Sequence, residues 1–77
     1  MNAADADRII YAMEELFERE RRILRMYYGF DGPQKSTREI AHGEGVSREM
    51  VRRVRKRAEK KLKKILEEDL TSIEGDL

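Results

Sequence analysis

Residues 37–56 read TREIAHGEGVSREMVRRVRK, and the spacing inside this stretch decides the fold. Ile40 and Ala41 are the inward positions of a short helix, and the small Ala41 lets a following helix cross closely. Gly45 lies four residues on, where a turn needs the positive φ that glycine adopts at little steric cost. Val46 plugs the turn and Ser47 caps a second helix, and Val51 and Val54 pack that helix back onto the first. A small residue, three others, glycine, an apolar residue, a cap, then apolar residues four and seven beyond it make helix-turn-helix spacing. A plain helical hairpin shares this spacing, and the charge separates the two. Arg48, Arg52, Arg53, Lys56 and Arg57 all fall on solvent-side positions of the second helix.

Working outward, Ser36-Thr37-Arg38-Glu39 is a capping box, with Ser36 as N-cap and Glu39 reaching back, so the short helix is predicted over about Thr37–Gly43. Gly43-Glu44-Gly45 is the expected interruption. The helix after Ser47 is predicted from Arg48 to about Glu67, on a narrow stripe of Val51, Val54, Ala58, Leu62, Ile65 and Leu66. Upstream, Ile23, Leu24, Tyr27 and Tyr28 stripe a helix over about Glu18–Tyr28, closed by Gly29 in a left-handed C-cap. Ile9, Ile10, Met13, Leu16 and Phe17 share one face of a first helix over about Asp5–Leu16, with Asp5 as N-cap. Phe17 stands where a capping side chain is expected, so these two helices either turn a tight corner or run on. Phe30–Lys35 is a loop with its turn at Gly32-Pro33. The expected architecture is therefore all-α: one small four-helix domain over residues 1–77, with a C-terminal helix-turn-helix at 37–56, no winged element, and an acidic, frayed tail at 68–77.

The formal net charge of +1 conceals strong sorting along the chain. Residues 1–20 hold six acids and two bases, a net −4, and residues 21–47 carry +2. Residues 48–64 hold ten bases and two acids, a net +8, and residues 65–77 hold five acids and no base. A +8 block in one helix is the electrostatic footprint of a polyanion site, or else a solvated face. In the major-groove mode the start of such a helix reaches base edges, which places Arg48, Glu49, Arg52 and Arg53 for readout. Arginine pairs bidentately with guanine, and Glu49 either accepts from a cytosine amino group or pairs with Arg52 or Arg53 along the helix. Ser47, Thr37, Arg38, Lys56 and Arg57 complete the expected DNA contacts. Lys60, Lys61, Lys63 and Lys64 lie too far along for the same groove and suit phosphates or solvent.

Other classes of function are expected to be absent. With no cysteine and the single histidine His42, neither a disulfide framework nor a protein-only zinc site is available. No apolar run approaches the roughly 20 residues of a membrane span, and MNAADADR carries no apolar signal core. Ser36 and Ser47 have capping roles, and no nucleophile-and-base pair or phosphate loop is present, so neither an enzyme nor a cofactor is expected. A cytoplasmic, nucleoid-associated setting fits this reading.

The stretches LFERERRILRMYYGFDG and STREIAHGEGVSREMVRRVRKRAEKKLKKI together resemble region 4 of bacterial sigma-70-type sigma factors, over about Leu16–Ile65. The carrying residues are Arg19-Glu20, Ile23-Leu24-Arg25-Met26, Tyr28-Gly29, Asp31-Gly32, Glu39-Ile40, Val46-Ser47-Arg48-Glu49 and Val51-Arg52, in that order and spacing. The resemblance implies sequence-specific binding of double-stranded promoter DNA at a −35 element, through Arg48, Glu49, Arg52 and Arg53. It also implies docking on the β flap of the RNA polymerase core, by analogy through Ile23, Leu24, Tyr27 and Tyr28, unless these are core residues. The chain departs from the family at Arg53, where glutamine is usual, and at Glu44, where an apolar residue is usual. It departs again at Phe17, in a loop shorter by about one residue, and in the acidic end. Glu44 must reach solvent or find an arginine, because burying it unpaired is costly. These departures point to a divergent, alternative or phage-type member. No −10 or melting region accompanies the module, which leaves a second function open: a small co-activator, anti-sigma or appropriator module binding the flap or another sigma factor. In either case an anti-sigma or activator protein is a candidate partner, and the acidic tail is a candidate mask for the basic helix.

Overall fold

The computed structural model describes residues 3–75, with side chains from residue 7 to residue 68. Four helices follow in order: α1 over Ala3–Met13, α2 over Glu18–Tyr28, α3 over Thr37–Glu44 and α4 over Arg48–Gly75. The domain is all-α, and no strand occurs among the described residues. No helix there is long and apolar enough to cross a membrane. α4 packs against each of the other three helices, and α2 also meets α3. At 1.5 Å per residue its 28 residues span about 42 Å, which accounts for the 47 Å long axis of the molecule.

The core lies in two lobes along α4. Ile23, Ile40, Ala41, Val51 and Val54 form one, closed by Met26, Tyr27 and Val46, and it cements α3 and the start of α4 onto α2. Met13, Leu16, Leu24 and Ala58 form the other, with Ile9 and Leu62 packed against it. The two arms of the helix-turn-helix are thus held by the same apolar residues that the spacing singled out.

The predicted bounds of α2 match, and the other three helices differ. α1 stops at Met13 rather than Leu16, because the Glu14, Glu15 and Leu16 amides turn back to the carbonyls three residues earlier, each at 3.1 Å. This tight turn rotates the face that an unbroken helix would present. Met13 and Leu16 stay buried and Ala12 joins them, while Ile10 and Phe17 are 45% and 72% exposed. Asp5 lies inside α1 rather than at its N-cap. Phe17 brings no capping group of its own, and the Glu20 side chain closes the corner instead, its Oε1 accepting from the Phe17 amide at 2.9 Å. α3 runs one residue further than Gly43, since Gly43 stays helical and only Gly45 breaks the path. α4 continues to Gly75 instead of ending at Glu67, because no glycine or proline interrupts Arg48–Glu74. The backbone of the acidic tail is therefore helical as far as residue 75, while its side chains from residue 69 lie outside the described ones. A helical tail leads away from the start of α4, which does not favour masking in cis.

The caps are the predicted ones where it matters. Ser36 Oγ accepts from the Glu39 amide at 3.1 Å and Glu39 Oε1 accepts from the Ser36 amide at 3.1 Å, the reciprocal capping box. The hydrogen bond from the Ser36 amide first, and then the Ser36 hydroxyl, hold the Glu39 carboxyl below its ordinary range. Gly29 and Gly45 take φ of 75° and 68°, and the Val46 amide reaches the Ala41 carbonyl at 3.0 Å to close the helix-turn-helix turn. Their surroundings differ. A Cβ at Gly29 would meet the Gly32 carbonyl oxygen at 2.9 Å, whereas one at Gly45 meets nothing within 4 Å. Gly29→Ala is therefore expected to destabilise by clearly more than Gly45→Ala, whose cost is the left-handed backbone alone, about 1–2 kcal/mol. Paired urea denaturation curves check this, and equal losses would refute it.

Candidate nucleic-acid interface

The interface is built on the first ten residues of α4. Ser47 Oγ accepts from the Met50 amide at 3.0 Å and starts the helix. Val51, Val54 and Ala58, at 0%, 6% and 0% exposure, lock one face onto α2 and α3. Helical periodicity then turns Arg48, Glu49, Arg52, Arg53, Lys56 and Arg57 to the other side, and all six are exposed. Ser47 and Arg38 are exposed and Thr37 is half-buried at the start of α3. In the free chain Glu49 accepts from Arg53 Nη2 at 3.1 Å. With side chains 60% and 78% exposed, this pair holds an arginine and a carboxylate side by side toward solvent and adds little stability.

The four residues aligned by analogy with a flap-docking face divide. Ile23 and Leu24 are 0% and 1% exposed, so their surfaces belong to the core and offer nothing to a partner. Tyr27 is half-buried and Tyr28 is 45% exposed, their rings edge to face with centroids 5.0 Å apart. The reason for the split is that Ile23 packs into the lobe shared with α3 and α4, and Leu24 into the lobe shared with the α1 end and α4.

The structure adds residues that the spacing did not reveal. Arg55 belongs to the basic block but turns inward: its guanidinium lies 4.4 Å from the Tyr27 ring centre and donates to Glu59 at 2.9 Å. Glu59 also accepts from the Tyr28 hydroxyl at 2.8 Å, tying the end of α2 to α4 just behind the exposed arginines. Burial first, then that hydrogen bond, pushes the Tyr28 phenol up. The i,i+4 spacing of Arg55 and Glu59 is legible in sequence, and their tyrosine partners are not. At the other lobe Glu20, 4% exposed, accepts from Lys61 Nζ at 3.0 Å, and Lys61 stands 4.2 Å from the Phe17 ring centre.

Glu44 finds the arginine it required. Arg22 donates to both of its carboxylate oxygens, at 3.2 and 2.7 Å, and Arg19 stands 3.8 Å away. The fork ties α2 to the last residue of α3, next to the Gly45 turn that aims α4. Arg22 holds the Glu44 carboxyl below its ordinary range, through the hydrogen bonds first and against a smaller opposing effect of burial. A lowered folded-state pKa means that this contribution is present above the ordinary glutamate range and lost as pH falls through the lowered value. Glu44→Gln is accordingly expected to flatten part of the acid limb of the stability curve. With Arg22 46% exposed the effect is modest, at most about 1 kcal/mol. Urea titrations at neutral and mildly acidic pH check it, and an unchanged pH dependence would refute it.

Comparison with known proteins points one way. The family model described as "Sigma-70, region 4" matches residues 12–64. The chain is 38% identical over 61 residues to the RNA polymerase sigma-E factor of Clostridium acetobutylicum, covering 78% of this chain and 26% of that protein. The chain thus spans about a quarter of the length of that curated relative. No solved structure matches it.

Proposed function

Since this chain belongs to the sigma-70 region 4 family, we propose that it binds double-stranded promoter DNA in transcription initiation, reading a −35-like element and acting with RNA polymerase. The observation that carries the reading is the row Arg48, Arg52, Arg53, Lys56 and Arg57, exposed together on the face of α4 opposite its core contacts. In this reading the start of α4 enters the major groove. Arg48 and Arg52 supply paired donors to guanine edges, and the Glu49–Arg53 pair offers an acceptor and a donor side by side. Lys56, Arg57, Ser47, Thr37 and Arg38 hold phosphates and set the register. The polymerase contact, on the β flap, falls to Tyr27 and Tyr28 at the exposed end of α2, without Ile23 and Leu24.

The test is an amide chemical-shift titration with a −35-like duplex, a scrambled duplex of the same length, and a flap-tip peptide. The expected result is shifts concentrated at residues 47–57 with the first duplex, weaker and more salt-sensitive binding of the second, and peptide shifts around Tyr27 and Tyr28. Equal binding of both duplexes at every salt concentration would overturn sequence reading. Duplex shifts away from α4 would overturn the interface itself, and peptide shifts elsewhere would remove the assignment to the two tyrosines.

A further inference from the structure

The leading turn of α4 carries one side chain that the arginine row does not explain. Met50 follows Arg48 and Glu49 and is 36% exposed. The other large apolar residues of α4 among the described side chains, Val51, Val54, Leu62, Ile65 and Leu66, are buried or half-buried. Met50 belongs to neither core lobe. Its backbone is fixed, because its amide donates to the Ser47 cap at 3.0 Å. At 100° per residue it lies about 60° around the helix from Arg53 and about 20° from Arg57, at the margin where the exposed face meets the core stripe. Cα–Cβ bonds tilt toward the N-terminus of a helix, so this side chain leans toward the end that the DNA-binding reading sends into the groove. Along the margin the order inward is Arg57, Arg53 and Met50, about 10 Å from first to last at 1.5 Å per residue.

A methionine in that place gives nothing to a phosphate. It has no charge and no hydrogen-bond donor, and its sulfur is a weak acceptor. In the major groove a duplex presents donors and acceptors on its base edges and one apolar group, the C5-methyl of thymine. The thioether is unbranched, flexible and polarizable, so it moulds to such a methyl from a helix whose position the flanking arginines set. We infer that Met50 is a specificity-determining residue, its thioether packing on the C5-methyl of a thymine next to the base pair that Arg53 contacts. The inference rests on the DNA-binding reading and deepens it, since the helix then selects a thymine by apolar contact as well as guanine by hydrogen bonding.

The test uses the whole chain and a duplex that it selects from a randomised pool, with binding followed by fluorescence anisotropy. The thymines of that duplex are replaced one at a time by deoxyuridine, which removes the methyl and keeps every hydrogen-bonding group. One replacement is expected to weaken binding about fourfold, the worth of burying one methyl group. In Met50→Ala the same replacement is expected to cost nothing further, whereas Met50→Leu and Arg52→Ala still respond to it. Circular dichroism of each variant separates loss of contact from loss of fold. A selected sequence without a methyl-sensitive thymine would overturn the role of Met50 and leave the DNA-binding reading standing. So would a deoxyuridine effect that persists in Met50→Ala. No enrichment of any sequence from the pool would remove both the role and the base-reading on which it rests.

Discussion

Ile23→Ala is expected to remove much of the stability of the domain. Ile23 is fully buried and touches the cluster in which Ile40, Val51 and Val54 meet, so it is shared by α2, α3 and α4. Truncating such a side chain costs about 2–5 kcal/mol, from lost transfer free energy and from the cavity left behind. A chain of 77 residues has about 4–12 kcal/mol in total at typical per-residue stability. The variant therefore sits close to its unfolding midpoint or beyond it. Because the cavity opens under the helix-turn-helix, α3 and α4 lose their common anchor together, and DNA binding is expected to fall with helicity. Urea denaturation followed by far-ultraviolet circular dichroism measures the loss. Tyr11→Ala serves as the control, since that ring is largely in solvent. A loss below about 1 kcal/mol would mean that the first lobe does not carry the fold as argued.

The second large effect is on recognition. Arg52→Ala is expected to weaken binding to the preferred duplex by about 1–3 kcal/mol, roughly fivefold to somewhat over a hundredfold, while leaving affinity for unrelated duplexes much less changed. Arg52 makes no ion pair that has to be broken first among the described hydrogen bonds and salt bridges, and its side chain is exposed, so stability should be nearly unaffected. Arg53→Ala has an added consequence, because it leaves Glu49 without the guanidinium that neutralises it at 3.1 Å and turns an unpaired carboxylate toward the duplex. It is therefore expected to weaken binding to all sequences as well as to relax the preference. Lys63→Ala is the contrasting substitution, lowering the salt slope by about one without changing the preferred sequence. Fluorescence anisotropy at several salt concentrations distinguishes these patterns. If Arg52→Ala weakened every duplex equally, the base-reading role of this helix face would be lost.

Much of this was legible before any coordinates. The capping box at Ser36–Glu39, the left-handed Gly29 and Gly45, the cap at Ser47 and the bounds of α2 are all local. Each depends on groups within about four residues of one another, where backbone geometry leaves few alternatives. The outward row of arginines follows the same way, since once Val51, Val54 and Ala58 face the core the helical period turns the charges outward. Local reading failed at the end of α1, where a tight turn replaced the last helical residues, and at the end of α4, where no breaking residue stopped the helix before Gly75.

The amino-acid order by itself determined the four helices, the crossing at Gly45 and the sorting of charge into a basic helix between acidic ends, because propensity, capping and periodicity act over a few residues. Only the tertiary structure decided that Glu44 would be held by Arg22, Tyr28 by Glu59 and Glu20 by Lys61, partners 22, 31 and 41 positions apart. It also decided that Ile23 and Leu24 would be consumed by the core while Ile10 and Tyr11 stayed in water. Such pairings arise when helix faces meet, and the angle at which they meet is set by the packing of all the helices at once, which no single segment specifies.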